Sequence, residues 1–441
     1  MKLSTTDIAH ILLALAALLV AAHLVGGLFA SMRQPRVIGE IVGGILLGPT
    51  VVVALAPDVA AWLFPTGGAT PVILSAVSQL GLLLLLFCAG AEIRSAFSRD
   101  EARPVAWITV TGMLLPFLAG LGFLAMIHEQ DFWGPSATSL SFVLVFATAI
   151  AITSIPVITR IMYDLGILNT AFARIVLGVA VVEDVALYVV LAVALGIASG
   201  TGNAFGLPAA LGLEPGSIAD IAYHVVVTVA TLWLFLVPVR RLYSRATASG
   251  SGVLHQRGAI AHQLVFMLLA TVASIALGVE AFFGAFLAGV AVGSSKETPE
   301  ALAAIRGFSF AFFIPIYFAV VGLQLDLLHG FSVWFFLGFL LFACAAKGAS
   351  VYLGARLGGE RPFASLNLAV AMNARGGPGI VLASVAFSAG VVNEPFYATL
   401  VMLAVVTSLV AGSWLERVPR DRLLDRPSGL DAPAETPPQT L

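Results

Sequence analysis

The sequence "IVLGVAVVEDVALYVVLAVALGI" (residues 175–197) places two adjacent carboxylates, Glu183 and Asp184, in the middle of an otherwise apolar run. An apolar run of this length can cross a bilayer as a helix. A charged side chain at the centre of such a helix costs about 2.5–3.5 kcal/mol on insertion scales. The pair therefore indicates either a functional site inside a membrane or a buried ion-pair network that only holds helices together.

The composition of the whole chain is that of a membrane protein. Of its 441 residues, 59% are hydrophobic and 10% are charged, whereas a soluble chain carries about 25% charged residues. Apolar runs long enough to span a bilayer recur along the whole length. The sequence thus predicts an all-α membrane protein with about thirteen transmembrane helices, at residues 7–30, 36–56, 72–92, 104–127, 138–162, 171–199, 218–241, 259–279, 281–295, 305–325, 331–355, 363–389 and 395–415.

The positions of lysine and arginine predict how these spans are oriented. Every second loop and the C-terminal tail carry basic residues, and only Lys2 lies on the other side. By the positive-inside rule, we expect a multi-pass plasma-membrane protein with its N-terminus outside and its C-terminus in the cytoplasm. The basic loop and tail residues are Arg33, Arg36, Arg94, Arg99, Arg103, Arg160, Arg174, Arg240, Arg241, Arg245, Arg257, Lys296, Arg306, Arg356, Arg361, Arg417, Arg420, Arg422 and Arg426.

Two glycine-rich spans suggest an internal repeat. The second span contains "GEIVGGILLG" (39–48) and the ninth contains "GAFLAGVAVG" (284–293), with glycines at matching positions. The predicted topology runs these two spans in opposite directions, as in the inverted repeats of secondary transporters. Close helix packing through small residues is the alternative interpretation.

Each glycine-rich span is followed, three spans later, by a span whose helical pattern is interrupted. The fifth span contains "ATAIAITSIPVI" (147–158), with Thr153, Ser154 and Pro156, and the twelfth contains "NARGGPGIVLA" (373–383). Proline removes a backbone donor and glycine lowers helix propensity. Broken helices in matching halves predict a binding site near the bilayer midplane, although a simple proline kink would also explain the fifth span.

Four charged residues lie at core positions within the spans: Glu183, Asp184, Lys347 and Arg375. Adjacent residues of a helix point about 100° apart, so one carboxylate can face Lys347 while the other faces a cavity. A carboxylate that binds either a proton or a small cation couples the two, because binding one excludes the other. Hydroxyls of Thr153 and Ser154, with carbonyls freed by the broken helix, would complete an oxygen shell for a monovalent cation.

With these residues the chain resembles the monovalent cation–proton antiporters, in the second branch of the sodium/proton exchanger superfamily. The likeness covers about residues 7–416 and rests on several motifs in the expected order. The acidic pair at 183–184, "KG" at 347–348 and "RG" at 375–376 also fall where the family has them. The other motifs are "RVIGEIVGGILLGP" (36–49), "LLLLFCAGAEI" (83–93), "GAFLAGVAVG" (284–293) and "FFIPIYFAVVGLQLDL" (312–327).

The resemblance implies a two-part fold in which two broken helices cross at the midplane and a mobile core moves like an elevator against a scaffold. It also implies a homodimer. The expected parts are scaffold helices 1–3 at 1–98, core helices 4–6 at 99–200, linker helix 7 at 201–257, scaffold helices 8–10 at 258–329 and core helices 11–13 at 330–416. A tail at 417–441, rich in proline and alanine, is expected to be disordered.

By the same resemblance, Asp184 is the carboxylate that binds the cation and the proton, and Thr153 and Ser154 are cation ligands. Glu183 is then the partner of Lys347, and Arg375 is a further charge partner. One departure matters: electrogenic relatives carry Asp-Asp at the acidic pair and electroneutral ones Asn-Asp, whereas this chain has Glu-Asp. Since Glu183 keeps the negative charge, we expect electrogenic exchange.

The expected function is therefore exchange of protons for monovalent cations, with Na⁺ favoured over Li⁺ or K⁺. A potassium–proton antiporter, a passive cation channel on the same scaffold and a non-transporting membrane sensor are the alternatives. The sequence shows no nucleophile–base spacing, phosphate loop or metal cluster, so an enzyme is not expected. We expect no cofactor besides the transported cation and proton, and no nucleic-acid partner; the partners are these ions, the lipid bilayer and a second copy of the chain.

Overall fold

The computed structural model of the chain describes residues 3–32, 34–65, 67–92, 101–154, 158, 162, 167, 170–199, 207–213, 217–248, 253–293, 299–328, 330–419 and 422–424. Some predictions concern residues outside these ranges. They include Pro156, nearly all of the tail beyond residue 419, and the basic residues Lys2, Arg33, Arg94, Arg99, Arg160, Lys296, Arg420 and Arg426.

The described residues form helices joined by short connections. One isolated β-bridge, between Trp133 and Val392, joins two of these connections. The helices are α1 Thr5–Ser31, α2 Arg36–Leu47, α3 Pro57–Leu63, α4 Ala69–Glu92, α5 Ala102–Leu124, α6 Ser139–Ala151, α7 Ala171–Ser199, α8 Leu207–Ala210, α9 Ile218–Leu234, α10 Arg240–Ala248, α11 Val253–Ala276, α12 Ala281–Gly293, α13 Pro299–Phe308, α14 Ile314–Leu323, α15 Val333–Gly358, α16 Pro362–Ala371, α17 Gly376–Ser388 and α18 Glu394–Arg417.

Eleven helical segments in the described residues are long and apolar enough to cross a membrane, and the protein is a multi-pass membrane protein. The predicted all-α membrane fold is thus confirmed, but the count of thirteen spans is not. The fifth and ninth predicted spans appear as the shorter apolar helices α6 and α12, of 13 residues each. The helix of the fifth span stops at Ala151, where the chain becomes extended.

Because successive helices alternate in direction, the start of α1 and the connections α2–α4, α5–α6 and α17–α18 lie on one side of the molecule, which we call the N-terminal face. The ring of His10, near the start of α1, packs edge-on against Trp62, with 5.2 Å between ring centroids. The N–H of Gly134 donates to the carbonyl of Val391 at 3.1 Å. On the opposite side, the arginine-rich face, Arg174 forms an ion pair with buried Glu101 at 2.6 Å.

The glycine-rich helices pack as two matching pairs. A Cβ added at Gly44 on α2 would overlap the backbone of α14, and one at Gly322 on α14 would overlap the backbone of α2. The same reciprocal relation joins Gly289 on α12 with α4 and Gly90 on α4 with α12. The glycines of both glycine-rich spans thus lie at close helix contacts, as the packing interpretation predicts. The internal repeat stays a prediction.

Phenylalanine rings fill the N-terminal side of the bundle that holds α6. The ring of Phe146 stacks on Phe396 of α18 at 5.5 Å and lies 5.3 Å from Phe339 of α15. Such ring pairs add about 0.5–1.5 kcal/mol each to the energy of burying the rings. This packing holds the end of α6 against α15 and α18, next to the charged residues described below.

Candidate functional site

The breaks in the fifth and twelfth spans touch each other inside the protein. After α6 the chain is extended through Ile152–Ser154, and α16 and α17 are separated by Met372–Arg375. The N–H of Ser154 donates to the carbonyl of Ala374 at 2.7 Å, and the hydroxyl of Thr153 donates to the carbonyl of Met372 at 2.6 Å. Each break therefore satisfies backbone groups that the other has freed, as buried non-helical chain requires.

Glycine is needed where α17 begins. Gly376 has a φ of +26°, a conformation that L-residues with a side chain rarely adopt. The first N–H groups of a helix have no partner within the helix. Here the N–H of Arg375 donates to Thr407 Oγ1 at 3.3 Å, and that of Gly376 donates to Ser408 Oγ at 3.1 Å. Both hydroxyls come from α18, so a third helix stabilises the break.

Lys347, on α15, is fully buried and uses its three N–H donors within the site. Its Nζ donates to Glu183 Oε1 at 2.7 Å, to the carbonyl of Ala151 at 2.6 Å and to the carbonyl of Gly112 at 2.9 Å. Glu183 is 3% exposed, and this ion pair compensates the charge of its carboxylate. The pairing between Glu183 and Lys347 that the resemblance implied is present in the structure.

Asp184 lies beside this pair but is in a different situation. The residue is 2% exposed, and its Oδ1 accepts no hydrogen bond from the described part of the chain. A buried carboxylate without a partner is strongly unfavourable as an anion unless it binds a proton or a cation. The arrangement therefore provides one compensated carboxylate and, next to it, one that needs a positively charged ligand.

Arg375 is 1% exposed, and the bonds described for its guanidinium go to carbonyl and amide oxygens. Nε donates to the carbonyl of Ala149 at 3.2 Å, and Nη2 donates to those of Ile150 at 3.1 Å and Ala343 at 2.9 Å. Together with Lys347, this residue covers three consecutive carbonyls at the C-terminal end of α6. Cations are favourable there, because the last carbonyls of a helix lack partners and carry partial negative charge.

The structure thus brings together Thr153, Ser154, Glu183, Lys347 and Arg375, which the sequence analysis selected, with Asp184 at their edge. Sequence reasoning missed the hydroxyls of Thr407 and Ser408, although a polar pair in the middle of the apolar thirteenth span was a usable signal. The carbonyls that Lys347 and Arg375 contact left no signal in the sequence, since every residue has one. The roles of these residues in ion binding remain predictions.

In the described part of the chain, no three histidine, cysteine or acidic side chains come together as they would around a metal ion. The positively charged ligand that suits the site chemically is a proton or a single small cation at Asp184. Oxygen is the atom that hard cations prefer, and the two broken helices bring hydroxyl and carbonyl oxygens to this region.

Comparison with known proteins gives a consistent result. Residues 14–420 match the family described as sodium/hydrogen exchanger, transmembrane. The Na⁺/H⁺ antiporter NhaS4 of Synechocystis sp. is 27% identical over 407 residues, which cover 90% of this chain and 94% of that protein. The Na⁺/H⁺-K⁺ antiporter GerN of Bacillus cereus is 23% identical, over 91% and 94% of the two chains.

The K⁺/H⁺ antiporter 1 of Saccharomyces cerevisiae is 26% identical over 95% of this chain, but over only 47% of its own length. This chain thus spans about half of that relative, and the same holds for cation/H⁺ antiporter 20 of Arabidopsis thaliana, of which it covers 45%. Among solved structures, the sodium proton antiporter MjNhaP1 of Methanocaldococcus jannaschii superposes with a TM-score of 0.64 at 15% identity, over 95% of this chain and all of that one.

Proposed function

The chain belongs to the sodium/hydrogen exchanger family of cation–proton antiporters, and on that premise we propose that it exchanges protons for monovalent cations at Asp184. The observation that carries the proposal is the contrast between the two adjacent carboxylates. One oxygen of each carboxylate, Glu183 Oε2 and Asp184 Oδ1, is buried without a hydrogen bond in the described residues, but Glu183 is paired with Lys347 through Oε1 at 2.7 Å, whereas no ion pair is described for Asp184. Asp184 therefore binds a proton or a cation, and competition between them couples their movements.

The stoichiometry follows from what Lys347 does during the cycle. If Lys347 keeps its proton throughout, Asp184 exchanges one proton for one cation and no net charge moves. If the cation draws Glu183 away from Lys347, the lysine releases a second proton, and two protons exchange for one cation. We favour this second, electrogenic scheme, because the Glu183–Lys347 contact lies directly beside Asp184 and uses an acidic residue where electroneutral relatives have none.

We favour Na⁺ as the transported cation. Thr153, Ser154 and carbonyls of the two breaks contribute oxygen ligands around it, as the sequence predicts. Potassium is a second candidate, supported by the names of the yeast and Bacillus relatives, which include K⁺. A passive cation channel would carry the same ions without proton coupling.

Access to the two sides of the membrane alternates by an elevator-like movement in this proposal. The hydrogen bonds and the ion pair described for the site join residues of the ranges 99–200 and 330–416, which are the predicted core. A site held within one unit can move as a whole relative to the scaffold without breaking those contacts. The arginine-rich face is then cytoplasmic, the N-terminus is outside, and a second copy of the chain pairs through the scaffold.

The test uses purified protein in liposomes that contain a pH-sensitive dye. A pH gradient is imposed, and Na⁺, Li⁺, K⁺ or choline is added outside, for wild type, Asp184→Asn and the control Asp58→Asn, which alters an exposed acid on the N-terminal face. We expect one or more alkali cations to dissipate the gradient with wild type and the control but not with Asp184→Asn. Exchange that persists in Asp184→Asn would remove Asp184 from the mechanism.

The same liposomes test the stoichiometry and the channel alternative. An imposed membrane potential should drive electrogenic exchange in the absence of a pH gradient, whereas electroneutral exchange would not respond. Cation flux that leaves the internal pH unchanged in the absence of a protonophore would indicate a channel and contradict proton coupling.

A further inference from the structure

A cavity of about 470 Å³ opens at the N-terminal face. Helices α4 and α14 of the predicted scaffold line one side, and α17 of the predicted core lines the other. Although it lies among apolar helices, its wall carries polar side chains from each of these helices. They include Ser78, Gln79, Tyr317, Gln324, Ser384 and Ser388.

Tyr317 and Ser384 form the inner end of this cavity. On α14 and on α17 the chain runs from the membrane interior towards the N-terminal face, and these two are the first lining residues on their helices. Ser384 lies eight residues after the start of α17 at Gly376, which corresponds to roughly 12 Å along the helix from the break. The cavity therefore reaches towards the midplane site from one side.

Both hydroxyls at this inner end are buried without a hydrogen bond of good geometry. Tyr317 is 3% exposed and Ser384 is 8% exposed, and neither Tyr317 Oη nor Ser384 Oγ makes such a bond within the part of the chain that the structure describes, although Ser384 lies close to the hydroxyls of Tyr317 and Tyr397. Many other helical hydroxyls bond the backbone of their own helix: Ser408, for example, donates to the carbonyl four residues earlier at 2.7 Å. A buried hydroxyl without a partner costs about 1–3 kcal/mol, and at this pair the adjoining cavity leaves room for a ligand that would bind both oxygens.

A third hydroxyl continues the line towards the carboxylate. Tyr188 follows Asp184 by one helical turn on α7 and lies within electrostatic reach of both Asp184 and Tyr317. Its ring packs against Phe286 of α12, with 4.6 Å between ring centroids, so its position is constrained. Polar groups thus run from the cavity through Ser384, Tyr317 and Tyr188 to Asp184.

We propose that Tyr317 Oη and Ser384 Oγ form a transient coordination site for the transported monovalent cation, where it loses part of its hydration shell before it reaches Asp184. The inference rests on the proposed function, because it assigns a step to cation entry. Each hydroxyl supplies one oxygen ligand, one from the predicted scaffold and one from the predicted core. A sliding movement between these parts would separate the two ligands and close the site to the N-terminal face.

The test separates cation affinity from turnover. Cation-dependent proton movement is measured at increasing cation concentration on the N-terminal face, in oriented vesicles, for Ser384→Ala, Tyr317→Phe and the conservative Ser384→Thr. We expect KM for the cation to rise about 10- to 150-fold in the first two variants, as for loss of a polar contact to a charged group. Turnover at saturation should change less than about twofold, and Ser384→Thr should restore most of the affinity.

Ser388→Ala is the matched control, since Ser388 lies one turn further out in the same cavity and is exposed. Its KM should stay within about twofold of wild type. An unchanged KM in Ser384→Ala and Tyr317→Phe, or a fall in turnover alone, would overturn the inference, while loss of exchange in Asp184→Asn would still support the proposed function. Absence of cation-dependent proton movement in wild type would instead contradict the proposed function itself. Thermal unfolding of each variant in detergent identifies any that fail to fold.

Discussion

Removal of Lys347 is the most direct perturbation of the site, because one side chain contacts three groups. Its ammonium group contacts Glu183 Oε1, the carbonyl of Ala151 and the carbonyl of Gly112 at 2.6–2.9 Å, and none of it is exposed. Lys347→Met leaves the Glu183 carboxylate buried without a cation. Breaking a buried pair in this way destabilises a protein by about 3–5 kcal/mol.

The pair as a whole contributes much less to the free energy of unfolding than the loss that follows when one partner alone is removed. Replacing both partners with uncharged groups of similar volume is often close to neutral, because the cost of removing two charges from water disappears together with their attraction. We therefore expect Glu183→Gln to rescue the stability of Lys347→Met. At about 2 °C per kcal/mol, the lower end of the range for large domains, Lys347→Met should lower the melting temperature by roughly 6–10 °C.

The measurement is thermal unfolding in detergent micelles, followed by the fluorescence of the six tryptophans. The double variant Glu183→Gln/Lys347→Met should melt within about 3 °C of wild type. Arg356→Ala is the control on the same helix, since Arg356 is exposed; it should change the melting temperature by less than about 2 °C. If the single and double variants melt at the same temperature, Glu183 does not depend on Lys347 for its charge balance, and the proposed site is wrong on this point.

Three further predictions concern the breaks and the glycine contacts. Arg375→Lys should reduce exchange at least about tenfold, because an ammonium group lacks the planar fork with which the guanidinium bonds carbonyls of α6 and α15 and the side chain of Asn373; proton movement in liposomes measures this. Thr153→Val should weaken cation binding while Thr153→Ser retains it, as titration with the cation would show. Gly44→Ala should lower the melting temperature because its Cβ overlaps the backbone of α14, whereas Gly27→Ala, which has open space, should not; equal melting temperatures would contradict the close contact.

Much of the fold was predictable because it depends on local properties of the chain. The long apolar runs identify the spans, and most predicted ends lie within a few residues of the observed ones, as for 171–199 and α7. The breaks were also visible, since proline, paired glycines and hydroxyl residues disfavour a continuous apolar helix. The count of thirteen spans is not confirmed where a span is interrupted or short, because hydropathy in a window does not register that α6 stops at Ala151.

The candidate site was only partly predictable. Glu183, Asp184, Lys347 and Arg375 stood out because a charge inside the membrane is costly. The groups that Arg375 bonds could not be predicted: in the described residues its guanidinium bonds backbone carbonyls of α6 and α15 and the amide of Asn373, and its role as a charge partner stays a prediction. An oxygen of the backbone has no sequence signature, so such partners appear only when the helices are assembled.

The sequence by itself determined that this protein is a helical membrane protein, where its spans lie and which charged residues they contain, because hydrophobicity and charge are properties of each segment. Only the tertiary structure decided how those residues combine. It brought Lys347 to Glu183 across 164 positions of sequence, joined the two breaks by hydrogen bonds and left Asp184 beside the pair. Those relations arise from packing between distant helices, where glycine contacts set the approach of one backbone to another.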